Sequence, residues 1–293
     1  MSEHVRKIVL RVVFPLIIVI SVFTLPLLGL SADISPLLTV VSLVFAVLVG
    51  FFIATATTNY INFQHYLAQE NANLIALFNL GNMVSPSEKE KTAETIDQYV
   101  IATLDFSLAE YIEKTHQEFK RVVEHIDTLK PKKGDGRSTV AFDHLQATKI
   151  ELFRNRESVA LAALRITNGL HWLILTFLAS TLVFLLFTMR TDALLVNGII
   201  AVLSSAVYYI LLLLHEIDGN VFLEEQLAYQ DVQKVFRAIG RLPYYPSFAF
   251  ASAKLKTPGE RYRLGIYADY PRSCAKKIKV CDGKEDTSTY VNE

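Results

Sequence analysis

Cysteine, net charge and catalytic motifs are all scarce in this sequence. Only two cysteines occur in 293 residues, Cys274 and Cys281, both near the C-terminal end. Two thiols do not make a disulfide framework, and alone they do not complete a zinc site. Basic and acidic residues balance at 29 each and the pI is near 7.1, so no basic field draws the chain to nucleic acid. The zincin H-E-x-x-H, the G-x-S-x-G elbow and a glycine-rich phosphate cradle are absent. The seven histidines are scattered without ligand spacing. An enzyme is therefore not expected, and neither is a resident cofactor.

The most telling absence is local. Four stretches, roughly Val12–Leu30, Pro36–Thr58, Leu170–Met189 and Ala193–Leu214, contain no Asp, Glu, Lys or Arg. Each is about 19–23 residues long, which as a helix rising ~1.5 Å per residue crosses a hydrocarbon core of about 30 Å. The first run is too long for the apolar part of a signal peptide, and Leu30-Ser31-Ala32 is a poor cleavage site. Tyrosines apart, the only ionisable residue inside the runs is His171, at the edge of the third, which disfavours an ion-coupled transporter with a carboxylate at mid-membrane. A hydrophobic content of 52% and a mean hydropathy of +0.31 agree with an integral membrane protein.

Charge outside the runs sets the expected orientation. Arg6, Lys7 and Arg11 precede the first run, and further basic residues gather in Lys89–Arg165 and Lys234–Lys284. The loops inside the two pairs carry only Asp33, Arg190 and Asp192. The positive-inside rule places both termini and the middle segment in the cytoplasm.

The polar middle reads as helices. Tyr60, Phe63, Leu67, Leu74, Leu77 and Phe78 continue the second span at three- and four-residue spacing. Ser87 followed by Glu90 predicts a capping box, opening a helix with Ile96, Val100, Leu104, Leu108, Tyr111 and Ile112 on one face. After a loop at Lys130–Gly136, a helix over Val140–Thr167 is expected to run straight into the third span. Beyond the fourth span an amphipathic helix is expected over Val221–Ile239. Ser247–Glu293 reads either as a strand-poor tail wrapping neighbouring subunits or as partly disordered.

Two groups of residues are candidates for function. Leu43, Val47 and Phe51 lie four apart on one face of the second span, and Thr55, Thr58 and Asn62 continue it. Several copies of such a face make an apolar neck that excludes water, with hydroxyls and amides next to it. The same spacing also suits a face turned to lipid or to another helix, with Gly50 and the small residues favouring close packing. Glu216 and Asp218, with Glu224 and Glu225, form an acidic cluster after the fourth span. Carboxylates of this kind bind Ca²⁺, but the cluster lacks the alternating pattern and glycine of an EF-hand loop. As acids at a helix start they also complement its dipole.

Val47-Leu48-Val49-Gly50-Phe51-Phe52, followed by Asn59-Tyr60, resembles the second transmembrane helix of bestrophins. Glu216-Ile217-Asp218-Gly219-Asn220-Val221-Phe222 resembles the acidic stretch after the last span of bacterial bestrophins and of the bacterial bestrophin-like proteins. Gln69-Glu70-Asn71-Ala72-Asn73-Leu74 is similar to a segment that the second group carries after its second span. The chain departs from bestrophins where Thr57-Thr58-Asn59-Tyr60 replaces a tryptophan pair. The resemblance covers roughly residues 36–240 and implies a homopentameric anion channel of the bacterial inner membrane, with Leu43, Val47 and Phe51 as its neck.

The expected architecture is an all-α, four-span integral membrane protein with long cytoplasmic helical extensions, bestrophin-like in arrangement. Its segments are a first transmembrane hairpin (1–58), a cytoplasmic helical region (59–169), a second hairpin (170–214) and a C-terminal helix and tail (215–293). The expected function is an oligomeric, weakly anion-selective channel. Its expected partners are copies of itself, the lipid bilayer and small anions, with no nucleic acid. The rival is a non-conducting scaffold or sensor that binds a partner through its cytoplasmic helices.

Overall fold

A computed structural model describes residues 9–27, 33–106, 110–163, 167–218, 228–252, 255, 258–270 and 272–283. The chain divides into two compact units. The membrane unit is built from Met1–Tyr60 and Arg165–Gly219, and the polar unit from Ile61–Leu164 and Asn220–Glu293.

The membrane unit holds α1 (Phe14–Thr24), the first half of α2 (Ser35–Val84), α7 (Gly169–Thr188) and α8 (Leu194–Asp218). Helices are the solution here because lipid offers the backbone no hydrogen-bonding partner. Three of them, α2, α7 and α8, are long and apolar enough to cross a bilayer. The first apolar run forms a shorter helix, Val9–Thr24, about 24 Å long. The run expected to stay helical to Leu30 leaves the helix at Leu25, whose backbone is extended, and residues 28–30 lie outside the described residues.

Pro15 explains the entry to α1. It supplies no N–H to the carbonyl four residues earlier, on Arg11, and the preceding turn Val9–Val13 opens to π geometry. Tyr209 donates its hydroxyl to that Arg11 carbonyl at 2.9 Å, and Tyr208 donates to the Leu10 carbonyl at 2.8 Å. The freed carbonyls are satisfied from α8. At the other end, α1 terminates against Arg190, whose guanidinium donates to the carbonyls of Val22 (3.0 Å), Leu25 (3.0 Å) and Pro26 (2.6 Å). A cation on the last carbonyls of a helix also meets the negative end of its dipole.

The helix expected over Val140–Thr167 does not run on into the third span. It is α6, Gly136–Ala163, and α7 starts afresh. Asn168 caps α7 by accepting from the His171 amide at 3.0 Å, and its own amide donates to His171 Nδ1 at 3.4 Å. An asparagine followed by an aromatic reciprocal partner makes a cap that the S/T-x-x-E pattern does not reveal.

The polar unit packs the second half of α2 with α3 (Lys89–Thr103), α4 (Tyr111–Lys114), α5 (His116–Thr128), α6 and α9 (Ala228–Ala238). Leu77, Ile96, Tyr99, Leu145, Leu152 and Phe236 lie at the centre of its core. The helix expected to continue to Ile112 ends at Thr103 and a turn follows, while Leu108 lies outside the described residues. The expected capping box also fails. Ser87 falls in a 3₁₀ turn (Pro86–Glu88) with its hydroxyl 3.2 Å from that of Ser85, and Glu88 is the residue that precedes α3.

The tail contains a small sheet of order β1-β2-β3, from β1 (Tyr244–Pro246), β2 (Tyr262–Tyr267) and β3 (Lys276–Cys281), with α10 (Ser247–Ser252) between the first two. β1 pairs parallel with β2, and β2 antiparallel with β3. Gly265 is required in β2, since a Cβ there would stand 2.0 Å from the Tyr244 hydroxyl. Two ion pairs join the sheet to the α3 region. Arg263 grips Asp97 through two bonds of 2.8 and 2.6 Å, and Lys276 pairs with Asp105.

Candidate pore-lining face

The membrane half of α2 has two contrasting faces. Phe45 and Val49 are 4% and 5% exposed, packed with Leu175, Leu182 and Leu214, while Leu48 and Phe52 are partly buried beside them. Phe52 also meets the His171 ring at 4.9 Å between centroids. On the opposite side Leu43, Val47 and Phe51 are 64%, 63% and 63% exposed. Gly50 has nothing near its Cβ position, so the close packing it permits is not made among the described residues.

The polar continuation is less regular than a four-residue spacing implies, because an α-helix turns every ~3.6 residues and the face drifts. Ala54 and Thr58 continue the exposed line, while Thr55 turns aside and is half-buried. Both threonine hydroxyls donate back along the helix, Thr55 to Phe51 and Thr58 to Ala54, each at 2.9 Å. They therefore present acceptor lone pairs. Asn62, exposed in the polar unit, keeps an amide with donors. In that same stretch Gln69 and His65 are hydrogen-bonded at 2.7 Å.

Glu216 and Asp218 lie in the last turn of α8, and the start of the helix they were expected to cap lies outside the described residues. Glu216 accepts from Arg11 at 2.7 and 3.1 Å, and Asp218, 6% exposed, accepts from the Thr167 amide at 3.1 Å. The carboxylates thus have separate partners inside the membrane unit. Glu224 and Glu225, with the start of the expected helix, lie outside the described residues. Among the described residues no group of His, Cys, Asp and Glu has metal-site geometry.

Sequence reasoning missed the polar unit's buried ionisable groups. Arg156 donates to the Tyr99 hydroxyl at 2.6 Å, the Ile112 carbonyl at 2.6 Å and Thr115 at 3.0 Å, with its guanidinium over the Phe119 ring. Tyr99 in turn donates to the buried Glu70. Burial, with the Glu70 charge next, holds the Tyr99 phenol well above its ordinary range. Around the sheet, Tyr267 donates to Asp105 and shares a 2.8 Å hydrogen bond with Tyr244. Burial pushes the Asp105 carboxyl up, and Lys276 pulls it back. A faint signal existed: Asp97 and Tyr99 share α3 with the core residues Ile96 and Val100, where a charged side chain is rare without a partner.

A long second membrane helix with a bare apolar face, anchored from behind by two further spans, defines a class of integral membrane protein. The Bestrophin-like domain profile matches residues 30–219, well over half of the chain, and the chain belongs to the bestrophin-like family. Two solved structures share the fold. One is a bacterial bestrophin homologue from Klebsiella pneumoniae carrying a point substitution, 13% identical, with a TM-score of 0.57, covering 80% of this chain and 98% of that one. The other is described as a membrane protein carrying a point substitution, also 13% identical, with a TM-score of 0.55, covering 82% and 100%. None of the curated proteins matches the chain at a significant level.

Proposed function

We propose that this chain is the subunit of a closed-ring ion channel, in which copies of α2 surround the axis and Leu43, Val47 and Phe51 form a hydrophobic neck. The observation that carries the reading is the bare face itself. The opposite side of the same helix is packed by α7 and α8, so the exposed face is the one left to meet the axis. The apolar helices of one subunit, with no charge at mid-membrane, offer no water path of their own, so a pore requires several copies. The family resemblance suggests five.

A ring of leucine, valine and phenylalanine gates by dewetting, conducting only when it widens. Beyond the neck, Thr58 offers acceptors and Asn62 offers donors, so the path favours neither sign strongly; Asn62 tips it towards anions. The acidic pair, engaged with Arg11 and Thr167, leaves the current insensitive to Ca²⁺. Both termini and the polar unit face the cytoplasm of a bacterial inner membrane. Purified protein in planar bilayers under a chloride gradient tests this reading. Currents reversing modestly towards the chloride potential support it. A strictly monomeric, silent protein contradicts it and leaves the scaffold reading.

A further inference from the structure

The membrane unit contains a concavity that the pore reading does not use. It lies between α1, α7 and α8, with a volume of about 750 Å³, and Phe14, Ile18, Ser180, Phe184, Tyr208 and Arg190 are among its lining residues. That volume is within the range of small-molecule sites, about 300–1,000 Å³. Its walls are almost wholly apolar. From Thr176 to Phe187 the groove follows α7 for about 17 Å, more than half of a ~30 Å hydrocarbon core, with Arg190 just beyond the helix end.

Arg190 closes one end and is the unusual element. It is 6% exposed, and among the described residues it meets no carboxylate. Its partners are the carbonyls of Phe187, Ser21, Val22, Leu25 and Pro26. Nε and Nη1 are fully engaged, but Nη2 makes one bond, to Pro26. A guanidinium has two hydrogens on that atom, so one buried donor has no acceptor among the described residues. A full positive charge met, among the described residues, by carbonyl dipoles and the Phe187 ring face (5.1 Å) but by no anion, beside an apolar groove, complements one kind of molecule: an apolar chain ending in an anion.

We infer that the groove binds one phospholipid of the surrounding bilayer, its acyl chain lying along α7 and its phosphate region against Arg190, with anionic headgroups preferred. The inference is independent of whether the protein conducts.

Native mass spectrometry of the full assembled protein tests it, with exchange against dioleoyl phosphatidylglycerol or dioleoyl phosphatidylcholine. One retained phosphatidylglycerol per subunit is expected, favoured about tenfold over phosphatidylcholine. Ser180→Trp, at an exposed position on the groove, should abolish retention of both lipids while leaving the assembly intact. Arg190→Gln should abolish the headgroup preference, and should it fail to assemble, Ser180→Trp still decides. Retention unchanged in Ser180→Trp, or equal retention of the two lipids by the unaltered protein, would overturn the inference. So would a disulfide between Phe184→Cys and a neighbouring copy, which would show protein covering the groove.

Discussion

The two units solve the problem of burial in opposite ways. Among the described residues of the membrane unit the charged side chains stand at helix ends, as Arg11 with Glu216 and Arg190 with its carbonyls do, and large apolar residues such as Leu43, Val47, Phe177 and Leu195 are left exposed. In the polar unit the apolar residues are inside, and charged groups go inside with them: Glu70, Asp97 and Arg156 are all 9% exposed or less. The difference follows from the solvent. Lipid rewards an apolar exterior and tolerates no unpaired charge, whereas a water-facing fold can bury charge if each group finds a partner.

The sharpest way to break that contrast is to remove one member of the buried network. Arg156→Ala leaves Tyr99, Thr115 and the Ile112 carbonyl without their donor and should cost about 3–5 kcal/mol, as loss of a buried charged partner does. Denaturant unfolding followed by a probe in the polar unit reads this. Phe177→Ala, on the exposed face of α7, should cost far less. Equal losses would erase the distinction between the units.

Arg263→Ala is next, removing a two-bond grip on Asp97 worth about 1.5–3 kcal/mol per charged hydrogen bond at most. The expected signature is local: faster amide exchange in Tyr262–Tyr267 and Lys276–Cys281, with α7 and α8 unchanged. Within the membrane unit, Glu216→Gln combined with Asp218→Asn removes the Arg11 pair and weakens the acceptor of a buried amide. A loss of about 1–3 kcal/mol is expected, mostly from Asp218, because the Arg11 side of the other pair is half-exposed. Any current should be as indifferent to Ca²⁺ after the change as before. A Ca²⁺-dependent current abolished by it would assign the pair a ligand role.

The smallest effect is one of pH. His125 is buried in the polar unit, its Nε2 bonded to Thr92 at 2.9 Å and its Nδ1 without a partner among the described residues. Burial first, then the nearby Lys91 charge, lowers its pKa from 6.5. The unfolded chain therefore takes up this proton before the folded one does, so the contribution of His125 to stability falls as pH drops below 6.5. Melting curves at pH 5.5 and 7.5 should differ less in His125→Gln than in the unaltered protein. A larger difference in the variant would reverse the sign.

How much was legible in the sequence divides along the same line. Three of the four expected spans, α2, α7 and α8, were readable because lipid demands an unbroken apolar run, while the first run forms a shorter helix. Their ends were less so: Asn168 with His171 caps α7 through a pairing that simple patterns do not flag. The polar unit's helices could be read from periodicity, but the break after Thr103 carries no glycine or proline to mark it. The sheet was hidden by its composition. β3 is Lys276-Lys277-Ile278-Lys279-Val280-Cys281, mostly exposed, and lysine on an edge strand guards against aggregation while making the strand read as a tail. The buried ion pairs were not legible, since each joins residues more than 160 positions apart. Of the candidate site, the residues sharing a face could be named in advance, and the half-burial of Thr55 could not, because it depends on which side α7 and α8 cover.

The central claim is that the exposed face of α2 lines a pore, and single-channel recording of paired variants tests it most directly. Replacing Leu43, Val47 and Phe51 together by Ala widens the neck and removes the dewetting barrier, so conductance or open probability should rise while the protein still assembles. Replacing Leu48 and Phe52 by Ala instead opens cavities against α7 and α8, and should lower expression and stability without enlarging the current. The same effect from both sets, or silence from both with the assembly intact, would turn that face towards lipid or protein and contradict the account.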